Sequence, residues 1–301
     1  MMSSHERFRG CHVALVTPFR QDLSVDYDRL KALVNFLLER GVDGIVPCGT
    51  TGESATLQAD EQENVIRAVV SCVRGRVPVI AGAGTNSTHE AIALARRAEA
   101  AGADAILSVT PYYNRPTQEG LYRHYRALAE AVTLPIILYN VPGRTGCNLE
   151  PTTVCRLAEL PNIIGIKEAS GNFNQIMELI RTRPEGFLVL SGDDSFTLPI
   201  LALGGDGVIS VVANEVPREM RALVEAALRG DFATAREWHY KLLPLMTANF
   251  LEANPIPVKA ALALMGLVEE NYRLPLCPPS DATRNRLKRI LEDLQLLPVT
   301  V

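Results

Sequence analysis

Eight short β-type runs recur along the chain, each followed by a stretch of helical spacing, and this alternation constrains the fold more than any other feature. The runs are His12–Thr17, Gly44–Pro47, Pro78–Ala81, Ala105–Ser108, Ile136–Tyr139, Ile163–Lys167, Phe187–Leu190 and Gly207–Ser210. Strands alternating with helices mark βαβ units around a parallel sheet, and eight such units make a closed (β/α)8 barrel. Between the runs, Leu30, Leu33, Val34, Leu37 and Leu38 recur at three- and four-residue intervals, as do Ile92, Leu94, Ala95 and Ala98, which gives each helix one apolar face. Arg40-Gly41, Arg74-Gly75 and Ala101-Gly102 put a glycine at helix ends, just before the next strand. Ser87-Thr88-His89-Glu90 has the form of a capping box, and Thr117-Gln118-Glu119-Gly120 a looser one.

After Ser210 the strands stop. The spacing predicts helices over Pro217–Arg229, Asp231–Thr247, Pro255–Leu267 and Ser280–Leu296. The expected fold is therefore α/β, a (β/α)8 TIM barrel over residues 1–229 followed by a C-terminal helical region over 230–301. Pro244 and the Asn254-Pro255-Ile256-Pro257 turn are expected to break those helices, and Leu274–Ser280, with three prolines, reads as a loop.

A net charge of −4 and the lack of a basic patch with interleaved aromatics argue against a nucleic-acid partner. The six cysteines, at 11, 48, 72, 147, 155 and 277, form no Cys-x-x-Cys pair and read as reduced, mostly buried thiols. Residues 1–7 lack an apolar signal core, and no run reaches the roughly 20 apolar residues of a membrane span. The expected location is the cytoplasm, with no membrane partner.

In a barrel of this kind the catalytic groups come from the C-terminal ends of the strands and the loops after them. Those ends carry Gly49-Thr50-Thr51-Gly52-Glu53-Ser54, Tyr112-Tyr113-Asn114, Tyr139-Asn140-Val141-Pro142-Gly143-Arg144 and Lys167. A lysine at the lip of a buried strand, with apolar neighbours that free its amine, can form a Schiff base with a carbonyl substrate; the plainer alternative is a lysine that snorkels to solvent or pairs with a carboxylate. The Gly49–Ser54 loop offers backbone N–H groups and adjacent hydroxyls to an anion at a helix start, or is simply a tight turn. No Gly-Lys-Ser/Thr follows it, so a carboxylate is the expected ligand rather than a nucleotide phosphate. Tyr139 suits a proton relay or is a core tyrosine with a bonded hydroxyl. Arg144, in a loop bounded by glycines and a proline, suits bidentate carboxylate recognition or is a surface arginine.

Two weaker signals carry little. Gly82-Ala83-Gly84 begins like a dinucleotide fingerprint but lacks the third glycine and follows the third strand. The histidines at 5, 12, 89, 124 and 239 have no ligand spacing, so no metal is expected.

Taken together, Gly49-Thr50-Thr51-Gly52-Glu53, Tyr112-Tyr113-Asn114-Arg115-Pro116, Tyr139-Asn140-Val141-Pro142 with Arg144-Thr145-Gly146, and Gly165-Ile166-Lys167-Glu168-Ala169 closely resemble the dihydrodipicolinate synthase family, within the N-acetylneuraminate lyase and class I aldolase superfamily. The likeness runs from about residue 8 into the C-terminal helices and takes in Ser191-Gly192-Asp193-Asp194, Gly207-Val208-Ile209-Ser210 and Asn254-Pro255-Ile256-Pro257-Val258-Lys259. It implies a cofactor-free enzyme that condenses pyruvate with aspartate 4-semialdehyde on the way to diaminopimelate and lysine. Lys167 would carry the imine, and Tyr139, Thr50 and Tyr113 would relay protons, Tyr113 reaching in from a neighbouring subunit. Thr50 and Thr51 would hold the pyruvate carboxylate, Arg144 that of the semialdehyde, and Gly192 and Ile209 would complete the substrate site.

The same resemblance implies a homotetramer built from two tight dimers, and a lysine-binding pocket at Ala55, Ala59, Gln62, Asn86, Glu90 and Tyr112. Ala59 and Gln62 stand where strongly inhibited members often carry histidines, so weak or absent inhibition by lysine is expected. Two rival readings share the constellation. One is a pyruvate-dependent lyase acting on a sugar acid, such as an N-acetylneuraminate lyase or keto-deoxy sugar acid aldolase, against which Arg144 argues. The other is a non-catalytic keto-acid sensor, which would be expected to lack at least one of Lys167, Tyr139 or the Thr50 loop.

Overall fold

All eight strands form and all pair in parallel. The computed structural model describes residues 5–297, so the extreme ends of the two expected regions lie outside the described residues. The strands are β1 (Gly10–Ala14), β2 (Gly44–Val46), β3 (Ile80–Gly82), β4 (Ala105–Val109), β5 (Ile136–Asn140), β6 (Ile163–Glu168), β7 (Leu188–Ser191) and β8 (Gly207–Ser210). Their order, β2-β1-β8-β7-β6-β5-β4-β3, closes into a ring where Ile45 N–H donates to Pro78 O at 3.0 Å and Gly82 N–H to Pro47 O at 2.9 Å.

Only β8 keeps the expected bounds; the other seven strands differ by one or more residues at an end, and for two of these boundaries the local reason is plain. The first strand ends at Ala14 rather than Thr17, because Val16 N–H turns to the side chain of Asn214 and the Thr17 hydroxyl donates to Gly52 O. The third begins at Ile80 rather than Pro78, since proline has no N–H for a ladder.

The helices are α1 (Tyr27–Glu39), α2 (Ala59–Val73), α3 (Thr88–Ala100), α4 (Gln118–Ala131), α5 (Pro142–Thr145), α6 (Pro151–Leu157), α7 (Phe173–Thr182), α8 (Thr197–Ala202), α9 (Pro217–Leu228), α10 (Phe232–Ala248), α11 (Ile256–Leu264) and α12 (Asp281–Asp293). Ser87 and Thr117 cap α3 and α4 by accepting from N–H groups three residues on, each worth about 1 kcal/mol. Arg144, expected in a loop, lies on the single turn α5. Pro142 starts that turn with its φ already helical, and Gly146, left-handed at φ +72°, ends it by donating to Pro142 O. Pro244 does not break its helix: α10 runs through it. The carbonyl deprived of its donor belongs to Tyr240, whose side chain is exposed, so water can serve it, while Leu242, Leu245 and Met246 anchor the other face.

Apolar side chains fall into two groups. Ala14, Val46, Ile80, Leu107, Ile137, Tyr139, Ile164, Leu190 and Ile209 fill the inside of the barrel. The alternate strand residues, such as Ile136, Leu138 and Ile166, face outward and pack with Leu33, Leu37, Leu121 and Leu223 of the surrounding helices. Leu242, Leu245, Val258, Leu262 and Leu287 of the C-terminal helices belong to this second core. Cys11, Cys48 and Cys147 are buried, Cys72 and Cys155 partly so, and Cys277, in the proline-rich loop, is exposed; all six thiols are free.

Candidate active site

Strand alternation decides where Lys167 points. Ile166 faces outward into the shell, so Lys167 faces the barrel interior, directly opposite Tyr139 on the neighbouring strand. Its Nζ lies 4.3 Å from the centre of the Tyr139 ring. The lysine is only 5% exposed, yet no carboxylate lies within 4 Å and no described residue hydrogen-bonds its amine. Neither plainer reading, snorkelling or ion pairing, describes it. Gly192 makes the room: a Cβ there would stand 3.1 Å from Lys167 Cγ and 2.7 Å from Ala169 Cβ. The next residue, Glu168, turns outward and is held by Ser170 N–H, Asn140 and Gln175; burial still pushes its carboxyl above the usual range.

Tyr139 forms part of the wall of a cavity of about 470 Å³ at the C-terminal end of the barrel. Its hydroxyl has no hydrogen-bond partner among the described residues, unlike that of a satisfied core tyrosine. Thr50 and Arg144 share the cavity wall. Thr51, Ile209, Gly192 and Lys167 are not part of that wall; Thr51, Ile209 and Lys167 are buried, and Lys167 meets the cavity wall through the Tyr139 ring. Arg144 makes no ion pair; it donates through Nη2 to the carbonyl of Asn254 at 3.1 Å, which leaves its charge for a ligand.

The Gly49–Ser54 loop is folded on itself, with Gly52 N–H and Ser54 N–H donating to Gly49 O and Glu53 N–H to Thr50 O. The helix start expected after it is not that of α2 but of a single 3-10 turn, Ser54–Thr56, which precedes α2. Cys48 and Glu53 hold left-handed backbone at φ +56° and +53°, a conformation uncommon outside glycine. Left-handed backbone at residues other than glycine costs about 1–3 kcal/mol and clusters at functional sites.

Tyr113 is 90% exposed, at φ +72°, and contributes nothing to the cavity of its own chain. Of the residues expected to bind lysine, Ala55, Gln62 and Tyr112 line the outer cavity wall, while Ala59, Asn86 and Glu90 do not. The Gln62 amide is already used, donating to Ser54 O and Leu57 O, and the Tyr112 hydroxyl meets that of Thr85 at 3.2 Å.

Residue patterns gave no role to the contribution from the C-terminal helices. Ala253, Asn254, Pro255, Pro275 and Leu276 form part of the cavity wall, and Asn254 Nδ2 donates to Thr51 Oγ1 at 3.0 Å. Asn254 thus touches the threonine loop with its side chain and Arg144 with its backbone. The only sequence signal for this was the Asn254–Lys259 motif.

A buried, unpaired lysine at the C-terminal end of the sixth strand, facing a tyrosine that lines a cavity together with an arginine that has no ion pair, defines a Schiff-base-forming barrel of the class I aldolase type. Comparison with known proteins narrows the class. The chain belongs to the dihydrodipicolinate synthetase family, whose model matches residues 7–294. The 4-hydroxy-tetrahydrodipicolinate synthases of Chloroherpeton thalassium and Syntrophus aciditrophicus are 57% and 56% identical to it, over 96% of this chain and 96% and 99% of theirs. Among solved structures, the dihydrodipicolinate synthase of Aquifex aeolicus superposes with a TM-score of 0.95 at 48% identity, covering 97% of this chain and all of that one. Among the described residues, no helix is long and apolar enough to cross a membrane, and no group of three or more His, Cys, Asp or Glu is placed to hold a metal ion.

Proposed function

We propose that this protein condenses pyruvate with L-aspartate 4-semialdehyde through an imine on Lys167, as a 4-hydroxy-tetrahydrodipicolinate synthase of the diaminopimelate and lysine pathway. The observation that carries the reading is a buried Lys167 with no ion-pair or hydrogen-bond partner among the described residues, its Nζ 4.3 Å from the ring of Tyr139 on the cavity wall, together with Arg144 on the same wall without an ion pair, in a site that must take two anionic substrates. The Lys167 amine adds to C2 of pyruvate, and loss of water gives the imine. Loss of a proton from C3 yields the enamine, whose carbon attacks the aldehyde of the second substrate. The amine of that substrate then adds to C2, closing the ring and releasing Lys167.

Each step moves a proton, and we assign the relay to Tyr139, whose ring centre lies 4.3 Å from the amine, with Thr50 on the same cavity wall. Thr50 and Thr51 hold the pyruvate carboxylate, Arg144 that of the semialdehyde, and Gly192 and Ile209 shape the floor. The covalent imine is the only prosthetic chemistry this sequence of steps needs. The Tyr113 side chain, with no place in its own cavity, completes the relay of a neighbouring subunit in a homotetramer built of dimers. We place the reaction in the cytoplasm.

The test is pyruvate consumption by wild type and Lys167→Ala with the semialdehyde, N-acetylmannosamine or glyceraldehyde as acceptor. Turnover that needs the semialdehyde and vanishes in the variant supports the reading; preference for a sugar aldehyde would reassign Arg144, and use of no acceptor would favour a sensor. Lysine is expected to inhibit weakly or not at all, since Ala59 and Gln62 offer its pocket no imidazole and the Gln62 amide is engaged. Inhibition at micromolar lysine in the same assay would contradict this.

A further inference from the structure

An ion pair closed off from solvent ties the loop that carries Thr50 and Thr51 to α11. Glu53 and Lys259 are both almost wholly buried, with Nζ 2.5 Å from Oε1. They come from distant parts of the chain, the turn after β2 and α11. The ammonium also lies 4.0 Å from the centre of the Phe19 ring, and the other Glu53 oxygen accepts from Arg273 N–H at 3.4 Å. Arg273 in turn makes two bonds to Glu61 on α2 and others to the carbonyls of Leu23 and Thr56.

Such a pair is a poor way to stabilise a fold. Desolvation of two charges offsets most of their attraction, and apolar replacements of the same shape are often no worse. Its place indicates another purpose. Glu53 is a cavity-wall residue in left-handed backbone, three positions after Thr50, and its N–H bonds the Thr50 carbonyl. Thr17 grips the same loop through Gly52 O, and Asn254 through Thr51 Oγ1.

We infer that Glu53 and Lys259 are positioning residues, through which the C-terminal helices hold the threonine loop in the conformation that receives pyruvate. The ammonium also cancels the Glu53 charge, so the wall next to the threonines does not repel an anionic substrate. Arg144 stands outside this network and depends on it only through Asn254. The threonine loop holds the pair itself while Arg144 touches the network at one carbonyl, so the effect of loosening the pair falls chiefly on pyruvate. This rests on the reading of Thr50 and Thr51 as the pyruvate carboxylate site.

The experiment is steady-state kinetics for both substrates, with borohydride trapping of the pyruvate imine, on the double variant Glu53→Gln/Lys259→Met, which removes both charges and leaves neither buried alone. The expected result is a melting temperature close to wild type, a fall of roughly tenfold or more in kcat/KM for pyruvate and in imine trapped at low pyruvate, and a semialdehyde KM within about twofold. Wild-type kinetics for pyruvate, or equal losses for both substrates, would overturn the inference, since a merely structural pair does not distinguish them. If the double variant does not fold, Glu53→Gln alone keeps an acceptor oxygen for Lys259 while removing the charge; it is expected to show a smaller loss, chiefly for pyruvate, and unchanged pyruvate kinetics would again overturn the role. Thr50→Val is the control. If it leaves pyruvate unaffected, the carboxylate site itself is misassigned; if it impairs pyruvate while the double variant does not, only the positioning role falls.

Discussion

Gly192 and Asp194, two residues apart after β7, show how different demands meet at single positions. At Gly192 the demand is space. Gly192→Ala would press a methyl against the stem of Lys167 and against Ala169, an overpacking that costs about 1–3 kcal/mol and turns the amine from its line to the substrate. Imine trapped with borohydride is expected to fall by roughly tenfold or more with the circular dichroism unchanged; trapping at the wild-type level would show that the contact is relieved elsewhere. At Asp194 the demand is charge. Its carboxylate accepts from Val211 N–H and Val212 N–H, yet burial dominates and raises its pKa to about 6. A group whose pKa is higher folded than unfolded takes up its proton first in the folded state, so its contribution to stability grows as pH falls from about 7 toward 4. Glu215 nearby is also raised by burial, so the comparison with a variant isolates the effect. The excess urea midpoint of wild type over Asp194→Asn is expected to be larger at pH 5 than at pH 7.5; an equal gap would contradict the assignment.

Closure of the barrel between β2 and β3 bears on the site at the scale of elements. Gly82 lies so close under Cys48 that a Cβ would stand 2.0 Å from its carbonyl oxygen and 2.9 Å from Gly49 N. Gly82→Ala must therefore push the start of the threonine loop outward. A loss of about 2–3 kcal/mol in urea unfolding is expected, with a fall in kcat/KM for pyruvate that exceeds any fall in semialdehyde affinity. If stability drops and kinetics do not, the loop is less dependent on this packing than the geometry indicates. The existence of these strands was legible from their apolar runs, because period and length are written locally. Their ends were not: β1 stops where the Asn214 side chain takes over Val16 N–H, and that partner lies nearly 200 positions away. Pro244 taught the reverse lesson. Proline is a local helix breaker, but packing of Leu242, Leu245 and Met246 outweighs its lost hydrogen bond when the orphaned carbonyl lies on a solvent-facing surface.

For the molecule as a whole, the expected division at residue 229 separates the barrel from helices that share its core and build one side of its cavity. Expressed alone, residues 1–229 would leave the Glu53 carboxylate buried without Lys259 and bare the apolar surface that covers α9. That piece is expected to be insoluble or molten, without imine trapping; a soluble, cooperatively melting piece would show that the barrel folds unaided. The sequence by itself determined the eightfold alternation, the strand on which Lys167 sits, and the polar residues at the strand ends, because each follows from the spacing of neighbours along the chain. Only the tertiary structure decided that Lys167 faces Tyr139 without a counter-ion, that Arg144 lies on the cavity wall with its charge free, and that Asn254 and Lys259 reach back to the threonine loop. Those are relations between residues tens to hundreds of positions apart, fixed by barrel closure and by the docking of the C-terminal helices, and local spacing along the chain does not encode them.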